Sequence, residues 1–254
     1  MIGLRATRRL CDDFFEGYAR PALATCGCDY PLFPRVLGSA VAVPSLGAGP
    51  RLSCLHVLVA DGQPQAAVDD WQVHHVVLPQ AHGDIGSTPR LIGSFHAIGL
   101  GVEAVAFLDA DNWLHPCHIS TLMRARARTG AAFLSSGRML CRLDGSVMGP
   151  CPLIDPVRFI DTNCMLFAKE AFHLLHHWVL MPDYGHLIGD RIMLHHVRES
   201  GILCQHVDEA SVYYRCGKPG LYRQMGEEPP AGIPARPDYE ASFQHWLADG
   251  NPPL

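Results

Sequence analysis

The sequence predicts an α/β domain with a mostly parallel central sheet flanked by helices. Three observations predict it. Short apolar runs recur along the chain, each closed by polar or turn-forming residues, as strands buried in a sheet are. A capped, amphipathic segment joins two of these runs, which implies a right-handed parallel crossover. The central run, Val105 to Leu108, stops at Asp109-Ala110-Asp111. Two carboxylates at the C-terminal end of a buried strand lie where open α/β sheets bind ligands.

Residues 1–32 read as an N-terminal extension with one short helix, Arg8 to Ala19. The run from Arg35 to Pro44 is the first strand, closed by the Gly-rich turn Ser45 to Pro50; Leu55 to Ala60 is a second, ending at Asp61-Gly62, and Val73 to Leu78 a third. Ser87 or Thr88 then caps a helix with Pro89 in its first turn. Leu91, Ile92, Phe95 and Ile98 form its apolar face, and Gly99 or Gly101 ends it. The central strand follows. Ile119 to Arg128 reads as a helix closed by Gly130, Ala131 to Ser135 and Met139 to Leu143 as strands, and Asp144-Gly145 as a hairpin turn. Phe159 to Phe167 continues the sheet, Lys169 to Trp178 and Asp190 to Ser200 are helices, and Ile202 to Val207 and Ser211 to Tyr214 are short strands. The folded domain spans 33–224. Residues 225–254 are a Pro- and Gly-rich tail with one helix, Tyr239 to Leu247.

Composition narrows the classes. The chain has 254 residues, 48% hydrophobic and 18% charged, enough for one large α/β domain. A formal net charge of −5 argues against nucleic acid. The groups Arg5, Arg8, Arg9 and Arg124, Arg126, Arg128 read as solvated faces. No apolar run is long enough to span a bilayer, and the N-terminus lacks a signal-peptide core. Ten cysteines without framework spacing, Cys26 and Cys28 the only close pair, read as reduced thiols. The expected location is the cytoplasm, at most peripheral to the inner face of the membrane. Fifteen histidines invite zinc, but the groups His115–Cys117–His118, His173–His176–His177 and His195–His196 match no zinc spacing.

Chemistry concentrates at D-A-D. Two carboxylates one residue apart can share a divalent cation, and magnesium-class ions favour a few carboxylates plus phosphate oxygens and water. The bland reading is a strand-to-loop turn, where Asp and Asn are common. The order of segments favours the first reading. Asp61 after a strand, the loop Asp84 to Arg90, F-L-D-A-D-N, D-T-N-C-M-L-F-A-K-E-A-F and G-D-R-I-M-L-H-H-V-R-E-S-G together resemble a family 2-type glycosyltransferase with the GT-A fold. The resemblance covers about residues 36 to 215. It implies a nucleotide-sugar donor, a saccharide or other hydroxyl acceptor, and Mn2+ or Mg2+. It further implies that Asp61, Asp84, Arg90 and Asp109 contact the donor and that Asp111 binds the metal. Asp161, Thr162 and Asn163 would line the donor-sugar or acceptor pocket, and Asp190 would be the general base of an inverting transfer.

The chain departs from the family pattern in three places. Pro44 and Leu55 stand too close for the usual helix between the first two strands. The acid–acid pair before the acceptor helix is Gly189-Asp190. The late metal-binding histidine has no counterpart among Tyr213, Tyr214 and Arg215, with His206 earlier, so Arg215 or Lys218 would carry part of the diphosphate charge. Two alternatives follow. A nucleotidyltransferase would use Ser45 to Arg51 as a thin phosphate loop. A nucleotide-sugar-binding module without turnover would explain the missing acid.

Overall fold

The computed structural model describes residues 39–44, 54–233 and 237–254. The expected N-terminal extension with its Arg8–Ala19 helix, the Cys26–Cys28 pair, the Arg5–Arg9 cluster and the loop Ser45 to Arg51 lie outside the described residues. In chain order the elements are β1 (Ser39–Pro44), β2 (Leu55–Asp61), β3 (His74–Leu78), α1 (Ser87–Gly99), β4 (Val102–Leu108) and β5 (Trp113–Leu114). Next come α2 (His118–Thr129), β6 (Phe133–Cys141), β7 (Val147–Pro150), β8 (Met165–Ala168), α3 (His177–Leu180) and α4 (Gly189–Glu199). β9 (Cys204–Arg215), α5 (Pro219–Gln224) and α6 (Tyr239–Ala248) complete the chain.

The nine strands form one mixed sheet in the order β3-β2-β1-β4-β8-β6-β9-β5, with β7 on β6. The expectation of a mostly parallel sheet is corrected here. Only β2–β3 and β6–β9 pair in parallel; β1 runs antiparallel to both β2 and β4, and β4–β8, β6–β8, β6–β7 and β5–β9 are also antiparallel. Chain length explains β1. A parallel crossover needs a dozen or more residues, and about ten separate Pro44 from Leu55. Following the pairings from strand to strand, β2, β3, β4, β6 and β9 nevertheless run the same way, so their C-terminal ends share one edge.

Alternation along β4 divides the core into two layers. Val105 and Phe107 pack with Val57, Val59, Phe133 and Phe167 against Leu91, Trp178, Ile192 and Val197. Ala104 and Ala106 face the other way, onto Ile119, Leu122 and Met123 of α2. Phe107 meets Phe167 and Trp178 edge-on at 5.9 and 5.6 Å between centroids, a favoured aromatic geometry. The C-terminal segment also belongs to this core, since α6 brings Trp246 into it and Trp246 Nε1 donates to the Pro252 carbonyl at 2.7 Å.

Several boundaries differ from the sequence reading. The two strands expected on either side of Ser136 are one strand, β6, and the two before Tyr214 are one strand, β9. The expected strand from Phe159 holds a 3-10 turn at Thr162–Cys164 and becomes extended only from Met165. Lys169–Leu174 is 3-10 helix, and regular helix appears only at α3. On α1 the buried face is Arg90, Leu91, Ser94 and Ala97, while Ile92 and Phe95 are exposed. Cys117 is disulfide-bonded, which departs from the expectation of reduced thiols at that position.

Candidate functional site

The crevice begins at the end of β4. The Asp109 backbone N–H donates to Asn163 Oδ1 at 2.6 Å, and Asn163 Nδ2 donates back to Asp109 Oδ2 at 3.0 Å. This two-point clamp locks the D-A-D loop to the 3-10 turn before β8. The other Asp109 oxygen accepts from Arg90 Nη2 at 2.7 Å. Arg90 is buried over the Trp178 ring at 5.2 Å, and its Nη1 donates to the Ile85 carbonyl at 3.0 Å.

Ile85 presents that carbonyl because it adopts φ +56, followed by Gly86 at φ +85. A β-branched residue there is strained. Asp84 closes the same turn: its Oδ2 accepts the Thr88 N–H at 2.7 Å. It therefore fills the capping role expected of Ser87 or Thr88. Asp84 Oδ1 and Arg90 Nε are buried without partners. Asp61 is fully engaged, accepting the His82 N–H at 3.1 and 3.2 Å and facing His82 Nδ1 at 2.7 Å. Asp61 thereby pins the loop after β3.

Beneath the D-A-D loop lies a buried polar chain. Asp161 Oδ1 accepts from Asn163 N at 3.0 Å and from Asn163 Nδ2 at 2.8 Å, and Oδ2 pairs with Arg138 Nη1. Burial alone would raise the Asp161 pKa, but Arg138 and the Asn163 donors hold it below the usual carboxylate range. The Arg138 guanidinium is sandwiched near Tyr214, 4.1 Å from its ring, and Phe159 at 5.4 Å. Thr162 is buried in the turn, where its carbonyl accepts the Met165 N–H.

Two carboxylates differ from the rest. Asp111 is open to solvent on one side, yet desolvation and then the charges of Asp109 and Asp161 push its carboxyl up to about 6. Asp190, in the first turn of α4, is raised by burial and then by Asp161, against the pull of Lys218 and Arg90. Among the described residues no other side chain hydrogen-bonds the Asp190 carboxylate. Asn112 ties the loop to the end of β9 by accepting the Arg215 N–H at 2.9 Å. Lys218 stands 5.5 Å from the Tyr239 ring and 5.9 Å from that of Tyr214.

The structure thus gathers Arg90, Asp109, Asp111, Asp161, Asn163 and Asp190 around one charged crevice. Asp84 joins it through the Ile85–Arg90 contact, and Asp61, at the end of β2, holds the adjoining loop through His82. Arg138 and Trp178 were missed from sequence. An arginine inside the apolar stretch F-L-S-S-G-R-M-L-C is itself a signal, because a buried charge needs a partner. His206 is elsewhere, bonded to Ser135 Oγ at 2.9 Å.

Both Asp109 oxygens are engaged, and among the described residues no three His, Cys, Asp or Glu side chains group to hold a metal. A cation here would need Asp111, a shared oxygen of Asp109, and ligand phosphate oxygens or water to complete its shell. Among the described residues no helix is long and apolar enough to cross a membrane. No protein-family model matches the chain, and no curated protein is significantly similar to it.

Proposed function

We propose that the chain is a GT-A-like glycosyltransferase that moves a sugar from a nucleoside-diphosphate donor to an acceptor hydroxyl with inversion. One observation carries the reading. Two carboxylates of raised pKa, Asp111 and Asp190, border the same crevice at the common edge of the co-directional strands, with Asp161 acting on both. In this reading Asp190 takes the proton of the acceptor hydroxyl, whose oxygen bonds to the anomeric carbon while the bond from that carbon to phosphate oxygen breaks. A raised pKa brings such a base nearer to neutral pH. Asp111 and Asp109 are the residues that would hold Mn2+ or Mg2+, and such an ion would supply Lewis-acid stabilisation of the leaving diphosphate. Arg90 fixes Asp109, and Lys218 and Arg215 add positive charge at the β9 side.

A binding module without turnover has its own support in Gly189, which stands where a second acid would be. Thermal stabilisation by a panel of nucleoside diphosphates and nucleotide sugars, with and without Mn2+, separates the readings when combined with product analysis. We expect a metal-dependent rise in Tm for one nucleotide, lost in Asp111→Ala. Asp190→Asn should keep that shift and lose at least about a hundredfold of transfer. Nucleotide binding without transfer or hydrolysis on any acceptor would leave the module; no shift with any nucleotide would remove both.

A further inference from the structure

Away from the crevice, the outer face of α4 meets the turn 155–159 in a small open cleft closed on one side by Pro253 and Leu254. Arg191, His195 and Arg198 stand at i, i+4 and i+7 on one helical face, and Arg158 reaches in from the turn. Two bonds hold turn and helix together: Arg191 Nη1 donates to the Arg158 carbonyl at 2.8 Å, and Arg198 Nη1 to the Val157 carbonyl at 3.0 Å. Arg191 is further fixed over the rings of Phe159 and Phe243, at 4.9 and 5.5 Å. The remaining guanidinium donors are left to the cleft.

Among the described residues none of these three arginines is in an ion pair, whereas Arg90, Arg126, Arg138 and Arg142 each have a carboxylate. The nearby acid, Asp155, spends Oδ1 on the N–H groups of Val157 and Arg158, at 2.8 and 3.2 Å. Arg191 feels the carboxylates of Asp190 and Asp155, which leaves Arg158 and Arg198 at the cleft without a carboxylate partner in a chain whose net charge is −5. Like charges so gathered repel, and planar guanidinia with free forked donors match an oxyanion.

We propose that this cleft binds a phosphate-type oxyanion, either free or borne by a larger molecule. The inference does not rest on the transferase reading, since it uses no residue of the crevice.

Arg158 and Arg198 are exposed, so Arg158→Gln and Arg198→Gln should leave the fold and its far-UV circular dichroism unchanged. Calorimetric titration with inorganic phosphate, at an ionic strength matched with chloride, should give saturable binding that each variant weakens about tenfold or more, one charge-assisted contact being lost. A parallel titration with glycerol phosphate identifies the source. Tighter binding of the ester points to a phosphate group on a larger molecule, and tighter binding of orthophosphate to the free ion; in both cases the two variants must weaken it. Heats equal to those of chloride, or phosphate binding that both folded variants retain, would overturn the proposal.

Discussion

Asp161 binds Arg138 through one oxygen and both donors of Asn163 through the other. Its charge is therefore stabilised where burial would otherwise neutralise it. Removing one partner of such a pair leaves an uncompensated charge, a loss of about 3–5 kcal/mol. Arg138→Met should cost that much in urea unfolding, and adding Asp161→Asn should recover part of it. Additive losses in the double-mutant cycle would mean that the two side chains do not act as a pair. Ile85 offers the opposite case. Its left-handed backbone costs about 1–2 kcal/mol, and glycine would add about 0.5–1 kcal/mol of chain entropy. Ile85→Gly should thus raise stability by about 0.5 kcal/mol, read from the same unfolding midpoints. A lower midpoint would show that the exposed isoleucine contributes packing that outweighs its strain.

At the scale of elements, close approach decides what the sequence can vary. Gly62 has φ +75, and a Cβ there would sit 2.3 Å from the Ala81 nitrogen. Gly62→Ala should destabilise by more than about 2 kcal/mol and displace the Asp61–His82 contact, which an upfield or downfield shift of the His82 ring resonances would report. α1 shows why a helix is easier to read than its orientation. Its start, proline and end were legible, but of the four residues assigned to its apolar face Leu91 and Ile98 pack inward while Ile92 and Phe95 are exposed. The fold instead turns Arg90 inward, because Asp109 and the Trp178 ring offer the guanidinium a charge and a surface. β6 and β9 were each read as two strands for a related reason. Gly137 and the polar Asp208-Glu209 look like breaks, yet the strands pass through them as a bulge with shifted register. A Cβ on Gly137 would come within 3.2 Å of Ala210 Cα, so glycine is what lets the bulge close.

For the whole molecule, acid sensitivity follows from histidines folded in the neutral state. His118 is fully buried against Ser211 Oγ at 2.8 Å, and desolvation pulls its pKa down to about 3. His177, stacked on His196 at 3.6 Å, is pulled to about 4 by partial burial and then by His196. Each folded value lies below the unfolded one near 6.5, so above pH 6.5 neither affects stability. As pH falls below 6.5 the unfolded chain takes up protons that the fold refuses, and stability drops. For His118 the slope is at most about 1.4 kcal/mol per pH unit. His118→Asn, which keeps a side-chain partner for Ser211, should flatten the pH dependence of unfolding between pH 6.5 and 4.5. An unchanged slope would mean that His118 is not the group responsible.

The central strand, its D-A-D and the helices at Ser87, His118 and Gly189 were legible because periodicity, caps and turn residues are local. Strand direction was not, apart from the short link after Pro44, since it depends on which distant strand arrives alongside. The Arg138–Asp161 pair was hidden for the same reason: its partners lie 23 residues apart in sequence.

The place of β1 has a further consequence for synthesis. It is the earliest described strand to leave the ribosome, yet it becomes an interior strand, and its second neighbour, β4, ends more than sixty residues later at Leu108. Until then the nascent hairpin of β1 and β2 carries an unpaired backbone edge on the side that β4 will occupy, a surface open to strands of other chains. Slow passage through residues 55–108 should therefore favour aggregation, and fast delivery of β4 should suppress it.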